Sequence, residues 1–370
     1  MSPIDRWSNA QPPIESSQQI RDAFVFAPRT RARMMLGSSL SEAGSSLRPV
    51  TARRYLRAGY RLVGRHSGIQ ICRWARTALA GGRLCYKRWY GVRSHRCLQF
   101  TPSLQFCNLR CVFCWRFHTA ERFKSEPVWD APDLILDEAI VAQRKLLTGF
   151  KANPHVTRKM FEESMKPAHV AISLDGEPTL YPHIVPLIHE ISRRGMTSFL
   201  VTNGTMPNKL EEMIEYQAEP TNVYLSLYGP DRRTYENVTR PMVPDAWQRV
   251  LTSLRLMHHF ERSRTILRLT LVKGQNMHSA EKYSKLAMEG AADIVELKGY
   301  SWLGESKQRL PINAMPYQSE IREFAREMAK ATRYQFVAED EVSRVALLAR
   351  NPSEANISLD AHEIPSPEVA

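Results

Sequence analysis

The stretch SLQFCNLRCVFCWRFH, residues 103–118, carries Cys107, Cys111 and Cys114 in a C-x3-C-x2-C spacing. The run that leads into it, LQFTPSLQF (98–106), is apolar and strand-like, so the cysteines follow a strand end. A closed structural zinc site uses four ligands, commonly two separated C-x2-C pairs. Here there is one such pair, a third cysteine four residues upstream and, as a candidate fourth zinc ligand, His118. A four-iron cluster also normally takes four cysteines. Three in one loop leave one iron without a protein ligand, open to a substrate or cofactor.

Outward from this loop the chain alternates. Strand-like runs follow at 169–174 (HVAISL), 198–202 (SFLVT), 222–227 (NVYLSL), 265–272 (TILRLTLV) and 293–298 (DIVELK). Amphipathic helical patterns separate them near 133–147, 184–194, 208–217, 246–260 and 279–289, and a last one spans about 318–332. Strands alternating with helices predict an α/β fold with a parallel sheet, and six such units predict a partial (β/α)6 barrel. Chemistry in such folds gathers at the C-terminal strand ends. Each predicted strand does run into a distinctive loop: the cysteines, then Asp175-Gly176-Glu177-Pro178, Thr202-Asn203-Gly204, Ser226 to Pro230, Lys273 to Asn276, and Lys298-Gly299-Tyr300.

All six cysteines fall between Cys72 and Cys114, and the other 327 positions have none. The chain is long and opens without a secretory signal, so metal or cluster ligation fits better than a disulfide framework. Cys72, Cys85 and Cys97, spaced by 13 and 12, repeat the three-ligand count upstream. The net charge of +13 is uneven: from Ala43 to Ala120 there are fifteen Lys and Arg and no acid. Tyr55, Tyr60, Trp74, Tyr86, Trp89 and Tyr90 run through that segment. Cations for phosphates and flat rings for splayed bases suit single-stranded RNA; a solvated basic surface is the plainer alternative. No run of about 18 apolar residues occurs, so no membrane span is expected. Residues 28–65 are rich in Arg and Ser, as organelle transit peptides are, but Asp5, Glu15 and Glu42 argue against one and for a cytoplasmic protein.

C-x3-C-x-φ-C, with the aromatic Phe113 before the last cysteine, resembles the signature of the radical S-adenosylmethionine enzymes. That resemblance implies a [4Fe–4S] cluster on Cys107, Cys111 and Cys114. It also implies S-adenosylmethionine contacts at Glu177, through the methionine ammonium, and at Asn203 and Ser226. With Cys85-Tyr86-Lys87, Tyr90-Gly91, His95-Arg96-Cys97, Cys114-Trp115-Arg116, Gly149-Phe150-Lys151 and Leu174-Asp175-Gly176-Glu177-Pro178-Thr179-Leu180, the chain resembles the tRNA 4-demethylwyosine synthases from about Val50 to Val337.

This closer resemblance implies a carbon–carbon lyase that condenses pyruvate carbons with 1-methylguanosine-37 of tRNA-Phe. It implies a second [4Fe–4S] cluster on Cys72, Cys85 and Cys97, and a Schiff base between Lys87 and pyruvate; phosphate binding is the other reading of Lys87. Arg88 is the expected neighbour that depresses the Lys87 pKa. Arg88, Trp115 and Arg116 are the expected contacts to the anticodon stem-loop. Eukaryotic members of this family carry a flavodoxin-like domain, for which residues 1–48 are too short. The chain is therefore expected to be a stand-alone, archaeal-type monomer with an external flavodoxin or ferredoxin as electron donor.

The expected organisation is a flexible extension (1–48), a basic segment with the second set of cluster ligands (49–97), the barrel (98–340) and a tail (341–370). Two other readings stay open from the residues alone. One is a different radical enzyme, such as a glycyl-radical activase. The other is a non-catalytic iron–sulfur or zinc protein that binds nucleic acid.

Overall fold

NVYLSL at 222–227 is buried along its whole length, as a strand covered on both faces must be. It lies near the middle of the sheet described by the computed structural model, which covers residues 49–118, 128–355 and 357–358. The expected extension 1–48 and the end of the expected tail lie outside the described residues.

The chain enters with α1 (Pro49–Arg57), the short strands β1 (Arg61–Val63) and β2 (Ser67–Ile69), and α2 (Arg73–Leu79). Then come β3 (Cys97–Thr101), α3 (Pro132–Leu147), α4 (Arg158–Ser164), β4 (His169–Ile172), α5 (Ile184–Arg193) and β5 (Thr197–Thr202). These are followed by α6 (Pro207–Glu215), β6 (Asn222–Leu227), α7 (Arg232–Thr239), α8 (Ala246–Leu256), β7 (Arg264–Leu271), α9 (Ala280–Gly290) and β8 (Ile294–Gly299). The last elements are α10 (Gln318–Lys330), β9 (Gln335–Asp340) and β10 (Val345–Ala349).

Strands β3 to β8 pair in parallel in chain order. Antiparallel strands extend both sides, giving the order β1-β2-β3-β4-β5-β6-β7-β8-β10-β9. The six parallel strands are those expected for a partial barrel. They are flanked by two hairpins that the hydrophobic pattern did not reveal.

Side chains alternate across the sheet, as period 2 requires. In β7, Leu267, Leu269 and Leu271 join the core under α8, α9 and α10, while Ile266 faces the other way. Under α3, α5 and α6 a second layer gathers Leu98, Phe100, Val170, Ile172 and Leu200. The face turned away from the helices is filled near the strand N-termini by Tyr86, Trp89, Tyr90 and Val92, packed on Phe199, Tyr224, Ile266, Ile294 and Leu347. This plug comes from a 3-10 turn at Tyr86–Tyr90.

α1 ends at Arg57: Gly59 takes φ +86° and the chain turns into β1. The segment 49–97 joins the barrel, because β2 pairs with β3 and the plug fills the sheet. The boundary at 340/341 cuts a hairpin, since β10 pairs with both β8 and β9. β1 and β2 have three residues each and β9 lies at the edge, where a few residues carry too little pattern to be read.

Candidate active site

One cavity of about 1390 Å³ opens on the C-terminal ends of the parallel strands, and all six cysteines line it. All six are free thiols. The Cys107–Cys114 loop is held from several sides. Arg110 N and Val112 N donate to the carbonyls of Thr239 and Val238 at the end of α7 (2.8 and 2.9 Å). Arg309 Nε donates to Val112 O (3.1 Å), and its guanidinium also donates to Cys114 O. Burial pushes the three thiols up; Cys107 is raised further by the charges of Glu177 and Cys114, and Cys111 by those of Cys114 and Cys107.

Cys72, Cys85 and Cys97 form a second set. Cys72 caps α2, its Sγ accepting from Ala75 N at 3.3 Å. Burial raises all three thiols, Cys85 to about 12, and Cys97 is raised further by the charges of Cys72 and Cys85. Buried like-charged groups that disfavour their own thiolates suit a cationic centre, which reverses that preference. Among the described residues no three His, Cys, Asp or Glu side chains are placed to hold one metal ion. Three cysteine sulfurs on one cavity are a donor set that suits an iron–sulfur cluster.

Glu177 is buried, and its Oε1 accepts from Thr179 N (3.1 Å), Thr179 Oγ1 (2.6 Å) and Thr202 Oγ1 (2.6 Å). Its Oε2 accepts from Asn203 N (2.7 Å). Burial raises its pKa and these bonds oppose the rise. Oε2, with one protein donor, keeps acceptor capacity. The Asn203 amide is committed to the cysteine loop. Its Nδ2 donates to Asn108 Oδ1 (2.9 Å) and approaches Cys107 Sγ at 4.0 Å, while its Oδ1 accepts from Thr205 N and Oγ1 (3.0 and 2.6 Å). Ser226 and Phe113 line the cavity, Phe113 with its ring 5.0 Å from that of Tyr228.

Trp115 is 44% exposed at the rim, with the Arg116 guanidinium 3.3 Å from its ring centroid. Arg116 itself is buried and donates to Tyr60 Oη and to Gln70 Oε1 (3.3 Å). Tyr60 in turn donates to Asp175 Oδ2 (3.2 Å), and burial lifts that carboxyl to about 6 against the opposing charge of Arg116. Arg116 thus backs the Trp115 ring from below, rather than standing out as a free cation for a phosphate.

Arg88 does not line the cavity. The Lys87 pKa is depressed by burial and then by Arg268, a residue of β7, and not by the neighbour expected from sequence. The Lys87 Nζ lies 4.5 Å from the Tyr224 ring centroid and 5.2 Å from that of Phe199. Arg268 and Glu296 went unread, and Lys298 was read only as part of a strand-end loop. Their signal was a charge inside each of two apolar strands, at register positions that pair Arg268 with Glu296.

A family model described as Radical SAM superfamily matches residues 101–287, and one described as Wyosine base formation matches residues 289–350. The S-adenosyl-L-methionine-dependent tRNA 4-demethylwyosine synthase of Pyrococcus abyssi is 46% identical over 318 residues, 85% of this chain and 93% of that protein. The chain belongs to the tRNA 4-demethylwyosine synthase family. It is thereby a radical S-adenosylmethionine enzyme with a tRNA substrate, which sets aside the activase and the non-catalytic readings. The Oryza sativa relative is 36% identical over 336 residues, 88% of this chain but 50% of its own length. A solved structure of TYW1 with a lysine-pyruvate adduct bound superposes with a TM-score of 0.75 at 30% identity, over 82% of this chain and 96% of that one. An archaeal TYW1 crystal structure superposes at 0.68 and 29% identity, with the same coverage. No described helix is long and apolar enough to cross a membrane.

Proposed function

We propose that this chain builds 4-demethylwyosine on tRNA-Phe, as a carbon–carbon lyase acting on 1-methylguanosine-37 and pyruvate. The observation that carries the reading is that both cysteine triads and Lys87 open on one cavity. When bound, two clusters and S-adenosylmethionine supply one-electron chemistry for a methyl C–H bond that is too weakly acidic for a general base. Cys107, Cys111 and Cys114 would hold one cluster, and Cys72, Cys85 and Cys97 the other.

Glu177 offers its remaining acceptor capacity to the methionine ammonium, while Ser226 and the Asn203 backbone border the same space. Lys87, with its depressed pKa, supplies the amine that takes the ketone carbon of pyruvate as an imine. The relative solved with a lysine-pyruvate adduct supports this role over phosphate binding. Trp115, backed by Arg116, offers a stacking face at the rim to a base swung out of the anticodon loop. Arg88, away from the cavity, is left to the outer RNA surface.

In this reading the enzyme is a cytoplasmic monomer that draws electrons from an external flavodoxin or ferredoxin.

The test is an anaerobic assay with 1-methylguanosine-37 tRNA, pyruvate, S-adenosylmethionine and a reductant, the nucleoside read by mass. Reconstituted protein should carry about eight irons per chain. Cys85→Ala should still cleave S-adenosylmethionine without coupling but form no tricyclic product. Lys87→Ala should form neither that product nor a borohydride-trapped pyruvate adduct. Product from either variant would sink the corresponding assignment.

A further inference from the structure

Three cations enter the cavity from the sheet side: Lys87 on the plug, Arg268 on β7 and Lys298 on β8. The buried acid among them is Glu296. Its Oε1 meets Arg268 Nη1 at 3.2 Å and accepts from Tyr86 Oη at 2.9 Å. That neutralises one cation of the three.

Among the described residues no acid pairs with Lys298: Glu296 attracts it but is bound to Arg268 and Tyr86. The Lys298 Nζ donates to the neutral carbonyl of Ser343. Asp340 stands near, but its carboxylate is taken by Arg83 Nη2 (2.9 Å) and Ser343 N (2.7 Å), and Arg344 adds a further positive charge. Burial lowers the Lys298 pKa to about 8, which still leaves it charged at neutral pH. Lys87 lies against aromatic faces, and Glu296, Cys85 and Cys97 are the groups that attract it.

Surplus positive charge in a poorly solvated cavity is costly unless an anion completes it. A backbone phosphate of RNA suits this place poorly. Arg268 pairs in register with Ser226 and Glu296 within the sheet, one residue pair deeper than Thr270 and Lys298 at the strand ends. A three-carbon acid reaches that depth.

We infer that Arg268 and Lys298 form a carboxylate subsite that seats a small 2-oxo acid with its ketone carbon toward Lys87. This rests on the assignment of Lys87 made above and adds the residues that select the acid.

The experiment uses the reconstituted enzyme with pyruvate and with its uncharged amide, pyruvamide. Binding is read by calorimetry, and imine formation by borohydride trapping and mass. Lys298→Gln keeps a donor for the Ser343 carbonyl but loses the charge. It should weaken pyruvate binding roughly 10- to 100-fold and leave pyruvamide within about twofold. Lys298→Arg should restore most of the preference. Equal loss for both ligands, or an Arg variant as poor as Gln, makes Lys298 a structural residue and overturns the inference.

Inorganic phosphate is titrated in parallel. If it binds as tightly as pyruvate and Lys298→Gln weakens both alike, the site belongs to a phosphate and the inference fails. Wild-type enzyme that binds pyruvate with the predicted Lys298 dependence but traps no adduct would refute the Lys87 role and leave the subsite standing.

Discussion

Gly176 sits between Asp175 and Glu177 with φ +70°, and a Cβ on it would lie 1.9 Å from the Ser103 carbonyl oxygen and 2.7 Å from that of Phe106. Both contacts are with backbone, which cannot swing aside as a side chain can. Gly176→Ala should therefore cost about 3 kcal/mol or more in urea denaturation. It should also abolish reductive cleavage of S-adenosylmethionine, because Glu177 N is held by Phe106 O at 2.7 Å and moves with the turn. A variant with unchanged stability would show that the close approach does not matter. The importance of Asp175-Gly176-Glu177 was legible from its place after a strand. The reason no side chain fits at its centre was not, since it depends on a loop some seventy residues earlier in the chain.

At the scale of elements, α7 links helix capping to the cysteine loop. Asp231 caps it by accepting from Thr234 N at 3.0 Å and pairs with Lys282 at 2.8 Å. The far end of α7 presents the Val238 and Thr239 carbonyls to Val112 and Arg110. Asp231→Ala should destabilise the protein by about 1 kcal/mol. The Lys282 bond and the cap hold the Asp231 carboxyl at about 2, below its ordinary 3.8. A depressed carboxyl gives stability that is present above the unfolded value and lost as pH falls through the folded one. The gap between wild type and Asp231→Ala in denaturation midpoint should thus narrow between about pH 4 and pH 2. A pH-independent gap would exclude the charge as its source. Neither α7, with eight residues, nor α4, with seven, was read from the sequence. The longer helices α3, α5, α6, α8, α9 and α10 were, because several turns of amphipathic pattern leave little ambiguity.

Over the whole molecule, the charge of +13 gains a focus in the cavity. Of the cations that line it, Arg73 and Arg76 are exposed to a phosphate, while Lys87, Arg116, Arg268 and Lys298 lie deeper; the acids are Asp175 and Glu177. An anticodon stem-loop held by about five phosphate contacts should lose roughly 100-fold in affinity between 50 and 200 mM salt. Fluorescence anisotropy with a labelled stem-loop reads this directly, and a flat salt response would refute electrostatic docking.

By itself the sequence determined the six parallel strands, the loops at their ends and the clustering of the six thiols. Period-2 burial and residue spacing are local properties, written in the order of the residues. Only the tertiary structure decided that both triads share one cavity, that Arg116 lies beneath Trp115 instead of facing solvent, and that Arg268, not Arg88, depresses Lys87. It also decided that Arg83, between two candidate ligand cysteines, is tied to Asp340 across 257 positions. Burial and charge environment depend on residues far apart in the chain, so those pairings exist only once the sheet has curved and the 3-10 plug has filled it.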